Sequence, residues 1–342
     1  VCAMRRDMRG WFAQQIAAPV KRALPILSFP AVQLMGCTVR ELISDSARQA
    51  EGMACVARRM PSAASVSLMD LSVEAECFGA QVRVTDDEVP TVVGRLVATA
   101  AEAGRLRTPQ VGAGRSGVCV EAIRRAAVRI EDRPVLAGVI GPFSLAGRLM
   151  DVTEILYACY DEPETVHTVL DKATEFLTDY CRAFRDAGAD GVVVAEPLAG
   201  LLTPALAAEF SCAYARRMVE AVQSDGFAVV YHNCGGAVPA MLDDILSTGC
   251  MAYHFGNAVS MADILPRMPA DTVCMGNIDP AGVLKDGTPD LVYRRTLALL
   301  EACGDHANFL LSSGCDIPPA TPWANVDAFF AAADAFYRGR NA

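Results

Sequence analysis

Two short segments concentrate the residue types that bind a soft divalent metal. Tyr231-His232-Asn233-Cys234-Gly235-Gly236 sets an imidazole and a thiol two residues apart, and Ser312-Ser313-Gly314-Cys315 ends on a second thiol. Alternate side chains of an extended segment point the same way, so His232 and Cys234 can grip one ion together. Cys315 completes a Cys₂His set, which is a zinc set. Three protein ligands leave a fourth position open, as a catalytic site requires and a closed structural site does not. The glycines after Cys234 let the loop turn tightly and let a ligand approach the backbone. With thirteen cysteines in the chain, packing is the competing reading for any one of them. A His-x-Cys after one apolar run and a Gly-Cys after another is less easily accidental. Cys250 and Cys274 precede or sit inside apolar runs and read as core.

For these segments to meet, the elements between them must bring distant strand ends together. From about residue 132 onward, short apolar runs alternate with amphipathic stretches. Strands are expected at 134–140, 191–195, 227–231, 251–255, 272–275 and 308–311. Helices are expected over 163–187, from a Thr203 cap to about 224, over 238–247 and over 326–337. Such alternation implies parallel pairing through right-handed crossovers. Two further strands at 24–28 and 65–69 bring the number to eight. No Gly-x-Gly-x-x-Gly turn follows any strand, so a closed (β/α)₈ TIM barrel fits better than an open doubly wound α/β sheet. Residues 1–342 are read as one TIM-barrel domain, with 1–23 as an N-terminal helical extension and 78–84 as a turn into an added strand or hairpin.

In a barrel the residues just after each strand line the catalytic face. Those positions are Asp70, Ser144, Glu196, His232, Asn233, Cys234, His254, Asn277, Asp279 and Cys315. Glu196 could be a fourth ligand displaced by substrate, a partner of His232, or a solvated loop acid. His254 could contact substrate or be a hydrogen-bonded core histidine. Asp70 could orient a ligand or cap the following helix. His167 and His306 read as structural.

Composition narrows the class. The 342-residue chain is 52% hydrophobic and 20% charged with a net charge of −10, which argues against nucleic acid or an anionic membrane as partner. No apolar run approaches the ~20 residues of a membrane span. Residues 1–15 carry arginines without an apolar signal core. The expectation is a cytoplasmic protein with reduced cysteines.

At these residues the chain resembles the uroporphyrinogen decarboxylase superfamily, specifically its methylcobamide:thiol (coenzyme M) methyltransferase branch. The resemblance runs from about residue 24 to 337. It rests on Asp70 with Glu74-Ala-Glu-Cys-Phe-Gly79, on Gly141-Pro142-Phe143-Ser144, on Gly276-Asn277-Ile278-Asp279-Pro280, and above all on His232-x-Cys234 with Cys315. The first three are shared with the decarboxylases. The last is the methyltransferase pattern, where it forms the zinc site. The resemblance implies methyl transfer from a methylcorrinoid to a zinc-activated acceptor, a thiol such as coenzyme M or else tetrahydrofolate. It implies His232, Cys234 and Cys315 as metal ligands and Glu196 and Asp70 in catalytic roles. Ser144, Asn277, Asp279 and His254 are then expected on the cofactor-binding face, with a separate corrinoid carrier protein as partner. Asp70 matches the decarboxylases' catalytic aspartate, which keeps a metal-free tetrapyrrole decarboxylase open. The arginine-rich N-terminal segment with which decarboxylases hold tetrapyrrole carboxylates is not seen. A non-catalytic corrinoid- or tetrapyrrole-binding protein with a structural zinc is the third reading.

Overall fold

The strands of the parallel sheet are short, largely apolar runs, nearly all buried, as expected where helices cover the outside of such a sheet. The computed structural model describes residues 6–340. Its strands are β1 Ser65–Val66, β2 Gln81–Arg83, β3 Thr91–Val93, β4 Val135–Ile140, β5 Gly191–Ala195, β6 Ala228–Asn233, β7 Ala252–Phe255, β8 Val273–Ile278 and β9 Phe309–Ser313. Seven of them form one sheet in the order β1-β4-β5-β6-β7-β8-β9, with parallel pairing throughout. Strands β2 and β3 form a separate antiparallel hairpin, the addition expected after residue 78. The whole is an α/β fold of TIM-barrel type.

One expected strand is corrected. Residues 24–28 form no regular ladder, yet they close the wall between β9 and β1. Leu24 donates its N–H to the Leu311 carbonyl at 2.9 Å, and Ala63 donates to the Ala23 carbonyl at 2.9 Å. Pro25 has no N–H with which to continue the ladder. Hydroxyls take over: Ser312 Oγ donates to the Leu24 carbonyl at 2.7 Å, and Ile26 N–H donates to Ser313 Oγ at 3.0 Å.

Side-chain alternation sorts each strand into an inner and an outer row. Val193 and Ala195 of β5 join Val230 of β6, Ala252 of β7 and Leu310 of β9 inside the barrel. Val192 and Val194 pack outward under the helices with Val229, Tyr253 and Phe309. Helix Met8–Ala17, capped by Asp7 accepting from Gly10 N–H, buries Met8 and Phe12 against the inner cluster. Residues 1–5 of the expected N-terminal extension lie outside the described residues. The long helix appears at Pro163–Asp186, and the closing one at Trp323–Arg340. The helix expected from Thr203 is interrupted by a π-turn at Ala208–Cys212, and 238–247 resolves into Val238–Ala240 and Leu242–Leu246. Among the described residues, no helix is long and apolar enough to cross a membrane.

Candidate metal centre

Strand β6 runs two residues further than its apolar pattern suggests, so His232 and Asn233 are its last residues. His232 is therefore held by the sheet on both sides, opposite Ala195 of β5 and His254 of β7. Beyond it, Asn233 Oδ1 accepts from Gly235 N–H at 2.8 Å, a side-chain turn that bends the chain at Cys234. Gly256 makes room for that bend: a Cβ there would stand 2.5 Å from Cys234 Cα. Cys315 follows β9 by two residues and reaches the same point, its Sγ 3.4 Å from His232 Nε2. The ligand atoms of His232, Cys234 and Cys315 all lie within 4.8 Å of one another.

Buried neighbours fix which imidazole nitrogen faces the thiols. The Leu24 carbonyl can only accept, so the Ser312 hydroxyl donates to it. Ser312 Oγ then accepts from His254 Nε2–H at 2.7 Å. Burial, together with the neighbouring His232, pushes the His254 pKa well below that of a free imidazole. His254 is therefore neutral, and its Nδ1 carries a lone pair. His232 Nδ1–H donates to that lone pair at 2.7 Å, with the His254 carbonyl a second acceptor at 3.3 Å. His232 Nε2 is left bare and aimed at Cys315. A hydrogen bond behind the ring that fixes the metal-ready tautomer is what a ligating histidine needs.

The thiols are prepared in the same sense. A hydrogen bond from the Cys315 thiol draws the Cys234 pKa down, and the resulting charge pushes the Cys315 thiol up. Two crowded thiols share one charge until a cation neutralises both. Two thiolates and one imidazole lone pair suit zinc, and the donor set fits. The remaining cysteines of the described chain are free, and Cys250 and Cys274 are buried in the outer core.

The other residues singled out from the sequence fall into different places. None of the three roles expected for Glu196, displaced ligand, partner of His232 or solvated loop acid, is what its contacts show. Its carboxylate is fully buried at the start of helix Pro142–Met150, outside the ligand group. It accepts from Phe143 N–H at 2.9 Å, from Ser144 N–H at 3.3 Å, from the Ser144 hydroxyl at 3.2 Å and from the Ser211 hydroxyl at 3.4 Å. A Cβ on Gly141 would overlap it. Burial raises the Glu196 pKa to about 8 against those donors. Ser144, engaged by Glu196 and by Leu198 N–H, belongs to this buried knot rather than to an open face. Asn277 spends both amide donors on the Gly256 and Val259 carbonyls, bracing the loop that accommodates Cys234. Asp279 caps the next turn by accepting from Ala281 and Gly282 N–H. Asp70 contacts Arg115 and accepts from the Ser72 hydroxyl at 2.6 Å, while Arg115 also binds Glu76 at 2.7 Å. His167, between Tyr214 and Glu209 on the outer helices, is structural.

Sequence reasoning missed Ser312, Gly256, Arg115 and Asp316. Ser312 stands in the segment that ends on Cys315, but nothing in its residue type marks it, and its role appears only with the inward row of β9. Asp316 has a buried Oδ1 with no hydrogen-bond partner, and burial with nearby Asp70 pushes its carboxyl well above the usual range. Glu74, also buried, accepts from Ile140 N–H while its Oε2 has no partner, and burial raises it to about 7.

Known proteins bear on this arrangement in three ways. The sequence matches the uroporphyrinogen decarboxylase (URO-D) family over residues 20–336. Among curated relatives, the methylcobamide:CoM methyltransferase MtbA of Methanosarcina acetivorans is 27% identical over 261 residues, covering 75% of each chain. The uroporphyrinogen decarboxylase of Photobacterium profundum is also 27% identical, over 288 residues and 79% of each chain. Among solved structures, a methyltransferase from Methanosarcina mazei shares the fold with a TM-score of 0.85 at 24% identity, over 97% of this chain and 98% of that one. Equal identity to two activities leaves the choice between them to the residues of the site. The family itself is not in doubt: matched from before the irregular closing segment at 24–28 to within the last helix, this chain belongs to the uroporphyrinogen decarboxylase family.

Proposed function

We propose that this protein is a zinc-dependent methyltransferase that moves a methyl group from a methylated corrinoid to a thiol. The observation that carries the reading is the Cys₂His cluster with the His232 lone pair held toward it. The likeness to MtbA, named for methylcobamide and CoM, supports it. His232, Cys234 and Cys315 would hold the ion. Zinc bound by two thiolates supplies a Lewis acid that keeps an acceptor sulfur deprotonated at neutral pH while leaving it nucleophilic. A free thiol with pKa near ~8.5 is mostly protonated at pH 7, so this is the step for which the chain must prepare. In the transfer, the sulfur–methyl bond forms as the carbon–cobalt bond breaks. The electron pair stays with cobalt, and the thiol proton leaves to solvent. The chain's part is to fix the ligands from behind through His254, Ser312 and the Leu24 carbonyl, and to position the acceptor at the barrel mouth. We assign the corrinoid to a separate carrier protein docking on that mouth, in the cytoplasm.

The decarboxylase reading asks for no metal, and three convergent metal-ligating side chains favour the other; Asp70, which matches the decarboxylases' aspartate, is paired here with Arg115 and Ser72. A methyl-transfer assay with free methylcobalamin against thiols and tetrahydrofolate tests the proposal. Thiol-dependent loss of the methyl–cobalt spectrum is expected, abolished in Cys234→Ala and Cys315→Ala with the fold intact. Undiminished turnover in both variants, or decarboxylation of a tetrapyrrole without metal, contradicts it.

A further inference from the structure

A cleft of about 400 Å³ opens at the C-terminal ends of the strands, between the hairpin and the loops that follow β1, β8 and β9. Asp316 lines it one residue after Cys315, with Met69, Asp87, Glu88, Lys285 and Pro318. Its charge is lopsided. Asp87 and Glu88 are exposed at the rim, and Lys285 is engaged by Asp286 at 3.2 Å. Arg115 is already bound to Asp70 and Glu76. Asp316 Oδ1 is sealed from solvent and has no hydrogen-bond partner. A buried carboxyl oxygen without a donor is costly, and at the edge of a cleft it is a place for a ligand's donor. An anionic end group would bring that oxygen no donor and would meet the acidic rim of Asp87 and Glu88, and a neutral hydroxyl would bring a donor without a counter-charge. An ammonium would supply both donor and counter-charge.

We propose that the acceptor is an aminothiol, whose sulfur enters the open position of the Cys₂His site while its ammonium is received by Asp316. This deepens the methyltransferase reading and rests on it. The amine is charged at pH 7. Asp316 directly follows the ligand Cys315 in the chain, so acceptors with the amine a few bonds from the sulfur are the ones to test.

Three two-carbon thiols that differ only in their end group test the idea: 2-aminoethanethiol, 2-mercaptoethanol and 2-mercaptoethanesulfonate. Binding to the zinc-loaded protein is measured by calorimetry, and kcat/KM is measured separately with free methylcobalamin. The aminothiol should bind at least about tenfold more tightly than the sulfonate, the scale of one charge-assisted hydrogen bond, with the neutral thiol between them. Asp316→Asn should reduce that ratio by about tenfold, and rim variant Glu88→Gln by less than about threefold. If Asp316→Asn loses zinc, the ranking in the unaltered protein still decides. A sulfonate-first or charge-blind ranking, or binding of none of the three, overturns the proposal. Amine-first binding without methyl transfer would uphold the ammonium site and overturn the methyltransferase reading. Methyl transfer with a flat ranking would do the reverse.

Discussion

At the scale of single residues, the metal site depends on one lone pair, and the lone pair depends on groups that touch no metal. Removing the acceptor behind His232 frees the ring to rotate or change tautomer. His254→Ala should lower zinc affinity by about 10- to 100-fold while the protein stays folded, and Ser312→Ala should do so to a smaller degree. Competition with a chelator of known affinity measures both. Glu196 gives the opposite outcome. Its four donors belong to helix Pro142–Met150 and to Ser211, so Glu196→Ala should leave zinc content at that of the unaltered protein. It should cost roughly 3 kcal/mol of stability through orphaned buried donors, read by denaturant unfolding. His232, Cys234 and Cys315 are legible in the sequence because ligand chemistry restricts them to few residue types at strand ends. Ser312 is hidden by being ordinary. Its role follows from the inward row shared by β6, β7 and β9, which a one-dimensional pattern does not display. Glu196 sits at the expected strand end, but the strand-end rule does not say whether a side chain turns to the mouth or back under the next helix.

At the scale of elements, the site is set by how closely the loops after β6 and β7 can approach. The place where Gly256 would carry a Cβ is occupied by Cys234. Gly256→Ala should push the Cys234 loop away and remove zinc as completely as Cys234→Ala, measured as metal content after dialysis. Buried acids couple the elements to pH. Glu74, raised to about 7, and Glu196, raised to about 8, are both expected near 4.5 when unfolded. Between those values these two acids keep protons in the folded chain that they lose on unfolding, so their contribution to stability falls as pH rises, opposed by the lowered His254 and Cys234. In metal-free protein, Tm of Glu74→Gln should therefore fall less, or rise more, from pH 5 to pH 8 than Tm of the unaltered chain. Parallel Tm profiles for the two proteins would refute the assignment. The alternating strands and helices are legible because burial on both faces leaves continuous apolar runs. The irregular segment at 24–28 is misread as a strand for the same reason. Its apolar run looks regular until Pro25 is asked to donate a hydrogen bond.

At the scale of the whole molecule, the barrel gathers three ligands from two strand ends that lie far apart in sequence. It closes the opposite end with helix Met8–Ala17 and leaves an acid-lined cleft at the mouth. Family membership supplies the scaffold, and relatives at equal identity carry two different chemistries. What distinguishes them here is whether a metal at the Cys₂His cluster receives the acceptor's sulfur. X-ray absorption at the zinc edge reads this directly, on protein loaded with one zinc per chain. Without acceptor, two sulfurs and at least one nitrogen should surround the ion. On adding a reactive thiol, the count should rise to three sulfurs as an oxygen or nitrogen ligand leaves, with proton release near pH 7. No zinc retained by the cluster, or a sulfur count fixed at two while methyl transfer to the thiol proceeds, would contradict the account.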